Sequence, residues 1–172
     1  MITKATLNDV SELNILVNMA YRGESSKKGW TTEADILGGI RITENELTSL
    51  INKPKHSIFK FVANDKILAC VLLIDKKETL YLGMLTVNPE LQNSGIGKKM
   101  LEFAQNFATD LGLKSITMTV ISVRTELIAW YERHGYVDTG KREPFPMNDA
   151  NFGLPKQELE FVVMEKSLKL SE

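Results

Sequence analysis

The apolar positions of the chain change period several times, and each change marks an element. Val10, Leu13, Leu16, Val17 and Ala20 recur at helical spacing behind a Thr6/Asp9 pair spaced like a capping box. Residues 2–6 before them read as a short strand. Residues 21–31 are polar and without period, which predicts a loop. Thr32 is placed to cap a short helical turn ending near Gly38-Gly39. Thr43 with Glu46 then starts a short helix that carries Leu47, Leu50 and Ile51 and stops before Pro54. Three strand-like runs follow, at 57–63, 66–75 and 79–87. Their connectors, Asn64-Asp65 and Lys76-Lys77-Glu78, are short enough for hairpins, so an antiparallel meander is predicted.

After a loop at 88–94 comes the clearest helix, with Ile96, Met100, Phe103, Phe107 and Leu111 at helical spacing and Gly112 as its C-cap. Residues 114–120 alternate as a strand. Residues 125–134 form a helix ended by Gly135, and Tyr136 begins another strand. Residues 140–156 are rich in Pro, Gly and Asn and read as a long loop, and 158–166 as a last strand. This order predicts an α/β fold, a mixed sheet with a helical crossover in its middle, as a single domain over residues 1–172.

Composition removes several function classes. At 172 residues the chain suits one core, and 43% hydrophobic with 25% charged residues is ordinary for a globular protein. A formal net charge of -1 supplies no basic field for nucleic acid or for an anionic membrane. The longest aliphatic run, 67–74, is too short to span a bilayer, and the amino end lacks the regions of a signal peptide. Cys70, the only cysteine, sits inside that run as a buried strand thiol; with no disulfide available, a cytoplasmic location is expected. Two separated histidines and one cysteine give no metal-ligand cluster, so no metal is expected.

The informative segment is Leu85-Thr86-Val87-Asn88-Pro89-Glu90-Leu91-Gln92-Asn93-Ser94-Gly95-Ile96-Gly97-Lys98-Lys99. A strand runs through a short loop into a helix with two glycines at its start. Unpaired amides and the positive end of the helix dipole make an anion site there, and glycines let a phosphate approach the backbone. A Walker A loop is excluded, because Gln92 stands where its first glycine belongs and Lys99 where Ser or Thr belongs. A dinucleotide fingerprint starting at Gly95 fails at Met100, which is not small.

What fits is V-x-P-x-x-[QR]-x-x-G-x-[GA], matched by Val87, Pro89, Gln92, Gly95 and Gly97. In this the chain resembles the acetyl-CoA-binding signature of the GNAT superfamily of N-acetyltransferases, and the order of elements resembles that family over almost its whole length. The resemblance implies a mostly antiparallel central sheet with helices on both faces, opened by a V-shaped gap between the signature strand and the next one. It implies acetyl-CoA as cosubstrate, with its pyrophosphate on the loop of Gln92, Asn93, Gly95, Ile96, Gly97 and Lys98. The pantetheine arm would run along Leu85, Thr86 and Val87 like an added strand.

Further on, Trp130-Tyr131-Glu132-Arg133-His134-Gly135-Tyr136 resembles the family's Y-x-x-x-G-[FY] ending, whose Tyr commonly protonates the departing CoA thiolate. Tyr131 is therefore the expected general acid, a core aromatic being the alternative. Arg124 and Leu127 stand where many members have Asn and Ala, so that Asn contact is not carried over. His134, in a last helical turn, and His56, in a Lys-Pro-Lys-His loop, read as structural and surface residues.

The acceptor side falls on the loops at 21–33 and 140–156. Glu33 and Glu24 are the candidate bases and Trp30 a candidate substrate contact, against the plainer reading of an exposed polar loop. The expected reaction moves an acetyl group from acetyl-CoA to a primary amine, on a small molecule or a peptide, by direct attack in a ternary complex. A homodimer is compatible with the sequence. The alternative is a catalytically silent acyl-CoA-binding regulatory domain, which would keep the glycine loop and need no acid at Tyr131.

Overall fold

The computed structural model describes residues 1–21, 37–38, 41–91, 94–144, 154–155 and 159–168. The chain runs β1 (Ile2–Lys4), α1 (Val10–Tyr21), β2 (Leu37–Gly38), α2 (Glu44–Asn52), β3 (His56–Ala63), β4 (Lys66–Asp75), β5 (Thr79–Val87), α3 (Ile96–Asp110), β6 (Ser115–Ile121), α4 (Thr125–Arg133), β7 (Val137–Pro144), β8 (Leu154–Pro155) and β9 (Glu160–Ser167). Seven strands form one sheet in the order β1-β3-β4-β5-β6-β9-β7, while β2 pairs with β8. All neighbours in the large sheet are antiparallel except β5 and β6. A parallel pair needs a crossover, and α3 supplies it.

The helix starts follow local chemistry. Thr43 caps α2 by accepting the Glu46 N–H at 3.1 Å. Asp9 accepts the Thr6 N–H at 2.8 Å, the return half of a capping box, and a single 3-10 turn leads from there into α1.

Side chains alternate across the sheet, and each face is covered by two helices. On one face Leu13, Leu16 and Val17 of α1 and Leu47 of α2 pack on Ile58, Cys70 and Leu72. On the other, Met100, Ala104 and Ala108 of α3 and Leu127 of α4 pack on Val71, Leu82 and Met118. Each fully buried leucine contributes roughly 1.5–3 kcal/mol, so both apolar faces of the sheet stabilise the fold.

Three expectations are corrected. Leu111 is 46% exposed; the rest of the expected α3 stripe stands, Ile96 and Met100 buried and Phe103 and Phe107 packed against the core, and Ala104 and Ala108 complete it. The two alanines let the helix lie close on the sheet, a role that a search for large apolar residues overlooks. Leu37 and Gly38, where a helical turn was expected to end, form a short strand, while the start of that turn at Thr32 lies outside the described residues. Residues 140–144 are not loop but the second half of β7. Gly140, at φ +84°, sits in a bulge where the β7–β9 register jumps between Asp138 and Arg142. The Gly140 N–H donates to Asp138 Oδ1 at 2.8 Å, and Arg142 pairs with the same carboxylate at 2.9 Å. Pro144 is tolerated because β7 is an edge strand.

Candidate active site

The sheet opens between β5 and β6. These strands pair only at Thr79 with Ser115, Leu80 with Ile116 and Tyr81 with Thr117. Beyond Tyr81, β5 stays with β4 and β6 stays with β9. The divergence coincides with a bulge in β5, where Met84 and Leu85 together oppose Val71 and Met84 takes φ +52°. A bulge adds twist and takes backbone groups out of the ladder. Here it is tied down from both sides: Thr86 Oγ1 donates to the Met84 carbonyl at 2.9 Å, and the Tyr21 hydroxyl donates to the Leu85 carbonyl. The Tyr81 hydroxyl spans the gap to Thr119 Oγ1 at 3.0 Å, at its narrow end.

The resulting cleft has a volume of about 480 Å³. Its lining comes from both faces of the sheet: Tyr21 and Arg41 from the α1 side, Leu127 and Tyr131 from α4, and Leu85 on the strand between. Tyr131 and Tyr21 are close enough across the opening to interact electrostatically. Leu85, Thr86 and Val87 are buried at the C-terminal half of β5, with Leu85 on the cleft.

Tyr131 is only 5% exposed, with edge-on ring contacts to Trp130 at 5.2 Å and Tyr136 at 5.8 Å. Its hydroxyl forms no hydrogen bond among the described residues. Nor is it a sealed, unsatisfied atom, so it opens on the cleft. Burial, aided by the neighbouring Tyr21 and opposed by Arg124, pushes its pKa well above that of a free tyrosine. The group is therefore a protonated phenol throughout the neutral range.

The start of α3 lies at the end of the same strand. Gly95, in the left-handed region at φ +86°, is its N-cap, offers no side chain to the helix amides, and has open space where a Cβ would stand. The first turn holds no acidic residue; Ile96 and Gly97 are buried, and Lys98 and Lys99 are exposed. First-turn amides without a capping side chain fit an anion, and the glycine leaves room for its approach. These features suit the diphosphate of a nucleotide-like ligand.

Gln92, Asn93, Glu24, Trp30 and Glu33 lie outside the described residues. His134 Nδ1 is engaged with the Trp130 carbonyl at 2.7 Å, and His56 Nδ1 with the Pro54 carbonyl at 2.9 Å; neither lines the cleft. Among the described residues no group of three or more His, Cys, Asp or Glu side chains could hold a metal, and no helix is long and apolar enough to cross a membrane.

Cys70 is fully buried, and desolvation lifts its thiol to about 12 despite a hydrogen bond with Thr86 and the nearby Arg41 charge. It should resist iodoacetamide at pH 8 in the folded protein and react only on unfolding; rapid native-state alkylation would contradict its place in the core. Its folded pKa exceeds the ordinary value of 9.0, so the fold favours the thiol. That contribution is complete below about pH 9 and lost as pH rises towards 12. Alkaline unfolding scans should show stability falling through that window.

Sequence reading did not single out Tyr21, Arg41 or Glu143, which all line the cleft. Tyr21 and Glu143 enter the sequence reading only as parts of the acceptor-side loops 21–33 and 140–156, and Arg41 carries no motif. Only the three-dimensional closure of α1 over β5 and of β7 beside β9 brings them to one cleft.

Comparison with known proteins bears on this geometry. The model of the Acetyltransferase (GNAT) family matches residues 11–136, from α1 through Tyr136. A ribosomal-protein-S18-alanine N-acetyltransferase from Escherichia coli superposes with TM-score 0.73 at 14% identity, over 100% of this chain and 96% of that one. An N-acetyltransferase from Staphylococcus aureus Mu50 gives TM-score 0.74 at 17% identity, over 97% and 96%. A Bacillus anthracis structure in complex with acetyl coenzyme A gives TM-score 0.60 at 18% identity, over 76% and 71%. At these identities the likeness is one of fold. No curated protein sequence matches the chain. The family match covers most of the chain and includes the cleft strands, α3 and α4: the protein belongs to the GNAT acetyltransferase family, enzymes of acetyl-CoA-dependent acetylation.

Proposed function

We propose that this single-domain enzyme acetylates a primary amine by direct attack in a ternary complex, in the opening between β5 and β6. The observation that carries the reading is a cleft lined from both faces of the sheet, with Tyr131 on one side and Tyr21 and Arg41 on the other. In this reading acetyl-CoA enters from the α3–α4 side. Its diphosphate rests on the amides of Gly95, Ile96, Gly97 and Lys98, with Gln92 and Asn93 completing the loop, and its arm lies along Leu85, Thr86 and Val87. The amine comes from the α1 side.

The amine nitrogen bonds to the thioester carbonyl carbon as the C–S bond breaks. Backbone N–H groups freed at the Met84–Leu85 bulge polarise the carbonyl. A carboxylate takes one proton from the ammonium before attack, Tyr131 delivers a proton to the leaving sulfur, and the second proton lost by the nitrogen as the amide forms restores the Tyr131 phenol through water. No acetyl-enzyme is involved, because Cys70 is buried and its thiol strongly protonated.

For the base, Glu33 is proposed first and Glu24 second, with Trp30 against the acceptor. An alkylammonium has no lone pair, so the base must act before attack. Glu33→Gln should lower kcat/KM by roughly 10²-fold or more and alter the acidic limb of the pH–rate profile, with acetyl-CoA binding retained. Should both rate and profile persist, Glu33 is a surface charge and Glu24→Gln is the next variant to measure.

A further inference from the structure

Arg41 is held in place by more apparatus than a loop residue needs. Asn18, on α1, accepts the N–H of Arg41 at 2.7 Å and of Ile42 at 3.1 Å through one side-chain oxygen. Its Nδ2 donates back to the Ile42 carbonyl at 2.9 Å, and Asn14 Nδ2, one helical turn earlier, donates to the same carbonyl at 3.2 Å. Two asparagines thus clamp the backbone at 41–42, and Ile42 is 3% exposed beneath them. The half-buried guanidinium lies 5.4 Å from the centroid of the Tyr21 ring. Tyr21 in turn holds the Leu85 carbonyl at the bulge. Among the described residues Arg41 has no carboxylate partner, although it lines the cleft.

The opposite wall carries the complementary charge. Glu143 on β7 stands in register with Phe161 of β9, which is in register with Ile121 at the wide end of β6. Paired residues point to the same face. All three line the cleft, and Glu143 is the only carboxylate to do so among the described residues. Two other cations line the cleft: Lys76, over the Tyr81 ring at the narrow end, and Arg124, at the start of α4 on the Tyr131 side.

We propose that the acceptor is a small amine that also bears a carboxylate, with Arg41 reading the carboxylate and Glu143 attracting the ammonium as it enters. This rests on the acetyl-transfer reading above. A guanidinium presents a planar fork that matches a carboxylate in two parallel hydrogen bonds. A phosphate would satisfy the same fork, but the Glu143 carboxylate in the same cleft repels a doubly charged group more than a singly charged one. Asn18 acts as a positioning residue, through the Arg41 backbone.

The test compares L-amino acids with their carboxamides, and phosphoethanolamine with ethanolamine, in a free-CoA release assay. The parent enzyme should favour amino acids over carboxamides by roughly 10- to 100-fold in kcat/KM, the scale of one charge-assisted contact. Arg41→Gln should collapse that ratio towards one while the acetyl-CoA-induced thermal shift is kept; Arg41→Lys should restore part of it. Asn18→Ala should raise KM for the amino acid with little change in kcat. Equal rates for acid and carboxamide, an Arg41→Gln loss that falls equally on both, or a preference for phosphoethanolamine would overturn the proposal. If no amine is turned over, the transfer reading fails by itself. The carboxylate proposal is then decided by titrating the CoA-loaded protein. Carboxylate-selective binding that Arg41→Gln abolishes supports it, and its absence overturns it.

Discussion

Tyr131→Phe is expected to lower kcat by roughly 10²–10⁴-fold, the usual worth of a positioned general acid, with the dissociation constant for acetyl-CoA unchanged. Removing one hydroxyl from a ring packed against Trp130 and Tyr136 leaves its shape intact. The effect should therefore appear in kcat and not in folding. The pH profile gives a second readout. Burial raises the Tyr131 pKa well above 10.0, so the proton-donating form persists through the alkaline range. Deprotonation of Tyr131 should therefore not depress kcat below about pH 10, and any earlier alkaline limb belongs to another group. The sign for stability is the same: a raised folded pKa means a contribution complete below pH 10 and lost only above it. A kcat for the variant within a few-fold of the parent would make Tyr131 a packing residue, with the proton coming from water.

Gly97→Glu is expected to remove acetyl-CoA binding. Acetyl-CoA at about 100 times its dissociation constant should stabilise the parent by roughly 2.7 kcal/mol, a shift of about 5–10 °C for a chain of this size. Gly97 is buried in the first turn of α3, and a glutamate there places bulk and negative charge among amides that face an anion. The variant should show no thermal shift. Its ligand-free midpoint serves as the control for folding, and Gly97→Ala, smaller and uncharged, should weaken the shift without erasing it. A full shift in Gly97→Glu would remove the start of α3 from the binding site.

The elements that sequence could place are those whose signal is local. The α3 cap, the Thr43 start of α2 and the three-strand meander each depend on residues within a few positions, and they stand where the pattern puts them. The strand, the connection and the glycine start of α3 were legible for the same reason, since they are contiguous. Three other features are relations between distant residues. The bulge at Met84 depends on how β5 meets β4, the Tyr21–Leu85 contact joins residues 64 positions apart, and the Asn18 clamp on Arg41 spans 23. Gly140 shows the limit of composition: a glycine followed by a proline-rich stretch announces a loop, yet pairing with β9 makes it a bulge in a strand. Ala104 and Ala108 show another, because small residues set the helix–sheet distance without adding to an apolar pattern.

The position of the thioester decides the mechanism, and a crystal structure of the protein with acetyl-CoA reads that directly. The expected result is the pantetheine arm paired along Leu85–Val87, the diphosphate on the first-turn amides of α3, and the sulfur within about 2.6–3.2 Å of the Tyr131 hydroxyl or one water away from it. Acetyl-CoA bound elsewhere, or bound in the cleft with its sulfur beyond reach of Tyr131, would contradict it.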